Sequence, residues 1–249
     1  SNVAQFVLTG ATSKLKIWDI TEHVNPKNQL FEKSGSQISY NVSTDFLREF
    51  IAFDDFDSTI SFVGRVVNQN LHGLSNPEMI IVTHSLFTSA AERLADFHRE
   101  EGLDVLVMEP TKIYNEFSSG AQDVVAIRDF VRMFYERAGS NTNNLPKYLL
   151  FIGDGSYDNK NRLQGNTNFI PTYQSPASLN STQSYVSDDY FGLLDTLEGE
   201  WSGIESVDIG IGRIPAQLQD EAEKVVDKII RYSSPEAMGD WRNTICFVA

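Results

Sequence analysis

The side chains that a Cys–His mechanism could draw on are few: four histidines and one cysteine. His84 holds the most informative place, directly after the apolar run Met79-Ile80-Ile81-Val82-Thr83. A Cys–His dyad would need Cys246 as the attacking thiolate, with an imidazole in hydrogen-bond reach. Cys246, however, lies inside Thr244-Ile245-Cys246-Phe247-Val248, which reads as a buried strand where a thiol packs as a small apolar group. A reactive thiolate needs exposure and a basic neighbour instead. His98 shares the apolar spacing of a helix and reads as a packing residue, while His23 and His72 fall in loops and suggest nothing specific. The single cysteine also excludes an intramolecular disulfide and any multi-cysteine metal site.

Serine, nucleotide and phosphoacceptor chemistry lack their marks. Gly155-Ser156 is not followed by the glycine that a nucleophile elbow requires. No Gly-x-Gly-x-x-Gly opens a helix, and no Gly-Lys-Ser/Thr closes a loop. Gly210-Ile211-Gly212-Arg213-Ile214-Pro215 is glycine-rich but runs into proline, and reads as a tight strand exit. Asp154 ends a strand as a receiver domain's acceptor does, yet Thr83-His84 stands where magnesium-holding carboxylates would be needed. The acidic group Asp154, Asp158, Asp188 and Asp189 has two readings. Carboxylates at a sheet's C-terminal edge can bind a hard cation together with backbone carbonyls, or they can cap turns and helices. Asp154 to Asp158 begins as an EF-hand loop does, but Asn159 takes the sixth place and Gly165 the twelfth, so that motif fails.

Composition narrows the partners. Lys+Arg number 20 against 34 Asp+Glu, a net charge of −14, which argues against binding a nucleic-acid backbone. Hydrophobic residues at 41% and charged residues at 22% describe a chain able to bury a core. No apolar run approaches the ~20 residues of a membrane span, and no signal peptide opens the sequence.

Two kinds of element must position these side chains. Residues 1–76 read as a mainly antiparallel, β-sandwich-like module. Its short β-branched and aromatic runs are Phe6 to Leu8, Leu15 to Ile20, Ile38 to Val42, Phe50 to Phe53 and Ile60 to Val67. Residues 77–249 alternate strand and helix. Met79–Thr83, Leu103–Met108, Tyr148–Ile152, Val207–Ile211 and Thr244–Val248 read as strands. Helices are expected from about Ser89 to Gly102, over Gln122–Arg137 and over Gln219–Tyr232. This alternation predicts an α/β fold with a parallel, doubly wound sheet, whose chemistry belongs beyond the C-terminal ends of the strands. The chain stops just after its last expected strand and reads as a fragment.

From about residue 79 onward the sequence resembles gingipain-type cysteine peptidases, family C25. The resemblance rests on Tyr148-Leu-Leu-Phe-Ile-Gly-Asp-Gly-Ser-Tyr-Asp158, Ser187-Asp-Asp-Tyr-Phe-Gly192, Asp208-Ile-Gly-Ile-Gly-Arg-Ile-Pro215, helix 219–232 and Trp241 to Ala249. Asn68-Gln-Asn-Leu-His-Gly73 and Ile113-Tyr-Asn-Glu-Phe-Ser-Ser-Gly120 narrow it to the sortase branch that serves type IX secretion in Bacteroidota. The module 1–76 resembles the region ahead of the peptidase domain in that branch.

The resemblance implies a caspase-like α/β fold whose catalytic His and Cys follow later strands, beyond Ala249, so no catalytic residue is assigned within the chain. It implies a parent enzyme that removes C-terminal sorting domains from cargo and attaches the cargo to a cell-surface glycolipid. The implied partners are those cargo proteins and other type IX secretion components, at the outer membrane, cell surface or periplasmic side. It implies structural calcium held by Asp154, the Val186 carbonyl, Asp189 and the Phe191 carbonyl. The family's further acidic ligand falls near Leu193, which cannot chelate, and Asp195 is the nearest substitute. The alternative is a non-catalytic, calcium-stabilised binding or scaffold module of the same machinery.

Overall fold

A computed structural model of the chain describes residues 2–56, 61–62, 64–177, 179–199 and 205–247. The chain divides into two units, Ser1–Arg65 and Val66–Ala249.

In the first unit, β1 (Val3–Thr9), β2 (Lys16–Asp19), β3 (Lys27–Asn28), β4 (Glu32–Ser34), β5 (Gln37–Ser43) and β6 (Phe50–Phe53) form two antiparallel three-stranded sheets. Their orders are β1-β5-β4 and β3-β2-β6. Period-two alternation turns Ile38 and Tyr40 of β5 and Ile17 of β2 inward as the unit's small core. The expected strand Ile60–Val67 is not found. Ile60 and Val63 lie outside the described residues, and the rest of that run forms no ladder.

In the second unit, β7 (Met79–Thr83), β8 (Val105–Met108), β9 (Tyr148–Ile152) and β12 (Gly210–Ile214) form a four-stranded parallel sheet in the order β12-β9-β7-β8. All five residues of β7 are buried, as a strand covered on both faces requires. Alternation sorts them by face. Ile80 and Val82 pack with Ile113, Ile127, Phe130 and Phe134, from α2 (Pro110–Phe117) and α3 (Val124–Ala138). Met79 and Ile81 pack on the other face, with Ala91 and Leu94 of α1 (Thr88–Glu100) and Ala222 and Val226 of α4 (Gln219–Ser233). A two-stranded ribbon, β10 (Tyr173–Gln174) with β11 (Val186–Ser187), lies in the long loop before β12. This is the expected α/β sheet preceded by an antiparallel module.

Three details differ from the sequence reading. The fourth strand begins three residues later than expected, at Gly210, so Gly210 and Gly212 lie within β12 rather than at its exit. A Cβ at Gly210 would stand 3.3 Å from the Tyr148 ring of β9, so the glycine permits close cross-strand approach. Helix α2 follows β8 directly, its proline in the first turn where a missing N–H costs nothing. Thr244–Phe247, the described part of the expected last strand, forms no ladder. A 3-10 turn at Asp240–Asn243 carries the chain off α4, and Ile245 and Phe247 stay exposed. Cys246 is therefore exposed, not packed in a strand.

The segment ahead of β7, inside the stretch 1–76, is bonded into the second unit. Glu116 of α2 accepts hydrogen bonds from Leu71 N at 2.7 Å and Gln69 Nε2 at 3.0 Å, and it pairs with His72 Nδ1 at 2.8 Å. Arg137 of α3 donates to the carbonyls of His72 and Leu74, and Leu71 is buried in the core beside Ile113. The two runs that narrow the family resemblance thus grip each other.

Candidate functional site at the C-terminal edge of the sheet

Parallel pairing brings the ends of β7, β8, β9 and β12 to one edge, so His84, Glu109, Asp154 and Pro215 leave the sheet on the same side. His84 N donates to the Ile152 carbonyl at 3.3 Å, and its Nδ1 accepts from Leu86 N at 3.3 Å. Nδ1 is thereby an acceptor, which leaves the proton of the neutral ring on Nε2. The ring sits 4.6 Å from that of Phe169. Desolvation pushes its pKa below the ordinary histidine value, with Glu109 opposing. His84 is a neutral, half-buried imidazole at the edge, and no hydrogen bond among the described residues joins Cys246 to any histidine.

Asp154 is the tie-point of the edge. Its N donates to the Ala216 carbonyl at 3.0 Å, and its carbonyl accepts from Phe169 N and Ile170 N at 3.0 and 3.1 Å. The carboxylate takes Gly155 N on Oδ1 at 2.9 Å, and Thr167 Oγ1 and Gln217 Nε2 on Oδ2, each at 2.8 Å. Gly155 is required here, since a Cβ would stand 2.6 Å from the Thr172 methyl and 3.0 Å from the Ile170 carbonyl. Asp158 is buried, with Oδ2 accepting from Leu163 N at 2.7 Å, and so closes a turn. Turn-capping describes both residues.

The other three implied ligands belong to the next loop. Val186 lies in β11, its side chain outward. Asp189 is exposed and its N donates to Ser187 Oγ at 3.1 Å. Phe191 buries its ring against Phe151, 4.8 Å between centroids. Leu193 is buried, and Asp195 turns away to accept from Tyr135 Oη at 3.0 Å. Burial, Asp195 and Asp208 together push the Tyr135 pKa up to about 12, which keeps its proton on the phenol. No group of three or more acidic, histidine or cysteine side chains is disposed to hold a metal among the described residues. As placed, Asp154, Val186, Asp189 and Phe191 are a poor calcium set: protein donors take three of the roughly four acceptor sites of Asp154, the position at Leu193 is apolar, and the four groups fall short of the roughly 6–8 oxygens calcium takes.

Sequence reasoning missed the residue that links the two loops. Arg213 of β12 donates through Nε and Nη2 to Asp188, at 2.7 and 2.8 Å, as a two-toothed fork. It also bonds the carbonyls of Gly153, Ile170 and Pro171. The signal was available, as an arginine inside an otherwise apolar strand must find buried acceptors.

A parallel α/β sheet covered on both faces, with its loops gathered at one edge, is the class these observations define. The profile of Peptidase family C25 matches residues 72–249, and the chain belongs to that family. Among solved structures it is similar to dimeric latent PorU from Porphyromonas gingivalis. That likeness has 33% identity and a TM-score of 0.78, over 98% of this chain and 24% of the PorU chain. It is also similar to the Arg-specific cysteine proteinase gingipain R, at 19% identity and a TM-score of 0.44, over 66% of this chain and 30% of that one. No curated protein matches. The chain thus spans about a quarter of the PorU length.

Proposed function

We propose that this chain is part of a gingipain-like cysteine endopeptidase acting as a sortase in type IX secretion, at the outer membrane or cell surface of a Bacteroidota bacterium. The observation that supports this most is the 33% identity to PorU sustained over 98% of the chain. In this reading the reactive Cys and His come from sequence after Ala249 and stand at the same sheet edge as His84 and Asp154. The thiolate attacks the carbonyl at the junction with the cargo's sorting domain. The sorting domain then leaves as an amine, taking a proton from the imidazole. A nucleophile of a surface glycolipid next gives its proton to the now neutral imidazole and takes the acyl group from sulfur, which regenerates the thiolate. The described residues hold no helix long and apolar enough to cross a membrane, and the charge of −14 disfavours nucleic acid as a partner.

The test is a cleavage assay on a cargo protein carrying its sorting domain, using this chain and a version extended through the downstream sequence. Activity in the extended protein alone, abolished by thiol alkylation, is the expected result. No activity in either protein would leave the scaffold reading in its place.

A further inference from the structure

Five oxygens converge on one guanidinium at the sheet edge, and every N–H of that group is used. Arg213 Nε and Nη2 donate to the two Asp188 carboxylate oxygens at 2.7 and 2.8 Å. Nη1 donates to the Gly153 and Ile170 carbonyls, each at 3.0 Å, and Nη2 also to the Pro171 carbonyl at 3.3 Å. An arginine has five N–H donors in a rigid fork, so none is left for solvent. One face of the group lies over the Phe151 ring at 4.8 Å, and the side chain is 11% exposed. The oxygens come from three separate stretches of chain: the end of β9, the turn at 170–171, and the turn that leads to Asp189. Partly desolvated oxygens gathered this closely repel one another unless a cation lies between them. Carbonyls plus a bidentate carboxylate are the donor set that hard metal ions choose.

We infer that Arg213 is the resident cation of the strand-end loops, a positioning residue whose guanidinium orders residues 153–172 and 187–189 without a metal ion. Two independent features agree with this. The Asp154 carboxylate is occupied by three protein donors, and the apolar, buried Leu193 stands where a further acidic ligand would be needed. The inference concerns the order of the loops and stands whether or not the parent protein is a sortase.

The experiment measures amide hydrogen exchange in the whole chain, as wild type, R213K, R213A and D188N, in a chelator and in millimolar calcium. The reporters are Phe169 N and Ile170 N, which bond the Asp154 carbonyl, and the buried β7 amides Ile80 and Ile81 serve as the internal reference. In the wild type, calcium is expected to leave the reporters unchanged. In R213K they should exchange about tenfold faster or more, with the reference unmoved, because an ammonium cannot reproduce the fork. Millimolar guanidinium should slow them again in R213A, where the same concentration of calcium should not. If R213A also loses the β7 reference, D188N carries the test, since it keeps the shape of the carboxylate and removes its charge. Calcium-dependent protection in the wild type, or unchanged reporters in both R213K and D188N, would overturn the inference.

Discussion

The two units solve the same problem with unequal means. Among the described residues the α/β unit buries eighteen apolar side chains on one face of its sheet and thirteen on the other. The β unit has a core of three, Ile17, Ile38 and Tyr40. Each fully buried side chain of this size contributes roughly 1.5–3 kcal/mol, and that sum must exceed the conformational entropy of ordering the backbone. The β unit is therefore held chiefly by its ladders and by ring contacts such as Phe6 on Tyr40, 5.5 Å between centroids. The lesson is that stability in this chain is local: the α/β unit tolerates the loss of a peripheral contact, and the β unit does not tolerate the loss of a central one.

The largest effect expected is from Phe130→Ala. Phe130 is fully buried on α3, edge-on to Phe117 and Phe134 at 5.7 and 5.2 Å. Truncation should cost about 3–5 kcal/mol in the denaturant-induced unfolding of the α/β unit, with that unit still folded. Ile38→Ala removes less, about 2–4 kcal/mol, yet it should release the whole β unit. Exchange of the β5 amides should then approach the unfolded rate while the β7 amides stay protected. Equal loss of protection in both units would break the comparison.

The next effects test how the α/β unit holds the strap ahead of β7. Glu116→Ala leaves Leu71 N–H without its acceptor and removes one of two from the Gln69 amide, which keeps the Lys112 carbonyl at 2.6 Å, and should cost about 1–3 kcal/mol in the same unit. Faster proteolysis between residues 66 and 76 should accompany it, and an unchanged cleavage rate would show that buried Leu71 and the Arg137 bonds to His72 and Leu74 hold the strap without Glu116. Asp123→Ala removes the acceptor for Val125 N at the start of α3, at 2.9 Å. About 1 kcal/mol of stability should go with it, read from the denaturant midpoint.

What could be read in advance follows the strength of the physical signal. Met79–Thr83 and Tyr148–Ile152 are continuous apolar runs, and both strands lie where the runs place them. Helix α3 announces itself through Val124, Ile127, Phe130, Val131 and Phe134 at helical spacing. Helix α2 has eight residues, too few for a period to emerge, and its opening proline resembles a strand stop. Thr244–Phe247 has the composition of a strand, but a strand exists only when a partner completes its ladder, and composition does not report partners. The site divides in the same way. Asp154 at the end of β9 was visible because it terminates an apolar run. For Arg213 the need for buried acceptors is legible, but not which ones, because it joins positions 153, 170, 171 and 188, whose proximity only the fold creates.

The smallest effect expected is a pH dependence confined to the α/β unit. Burial holds the His84 pKa below its ordinary value, with Glu109 acting the other way. The unfolded chain therefore binds this proton first as pH falls, and stability rises with pH wherever the unfolded state carries more protons. The contribution of His84 is fully present above its unfolded pKa of about 6.5 and declines as the pH drops through that value. Glu116 has the opposite chemistry and a lower window. Burial alone would raise its pKa, but the donors of Leu71, His72 and Gln69 outweigh it and hold the carboxyl below its ordinary value of 4.5. Its contribution is present above 4.5 and is lost only as pH falls through the lower folded value. His84→Asn keeps an acceptor near Leu86 N and removes the titration. Denaturant midpoints of the α/β unit at pH 7.5 and 5.5, one on each side of about 6.5, should converge in this variant relative to the wild type. An identical slope in the two proteins would assign the dependence to another group.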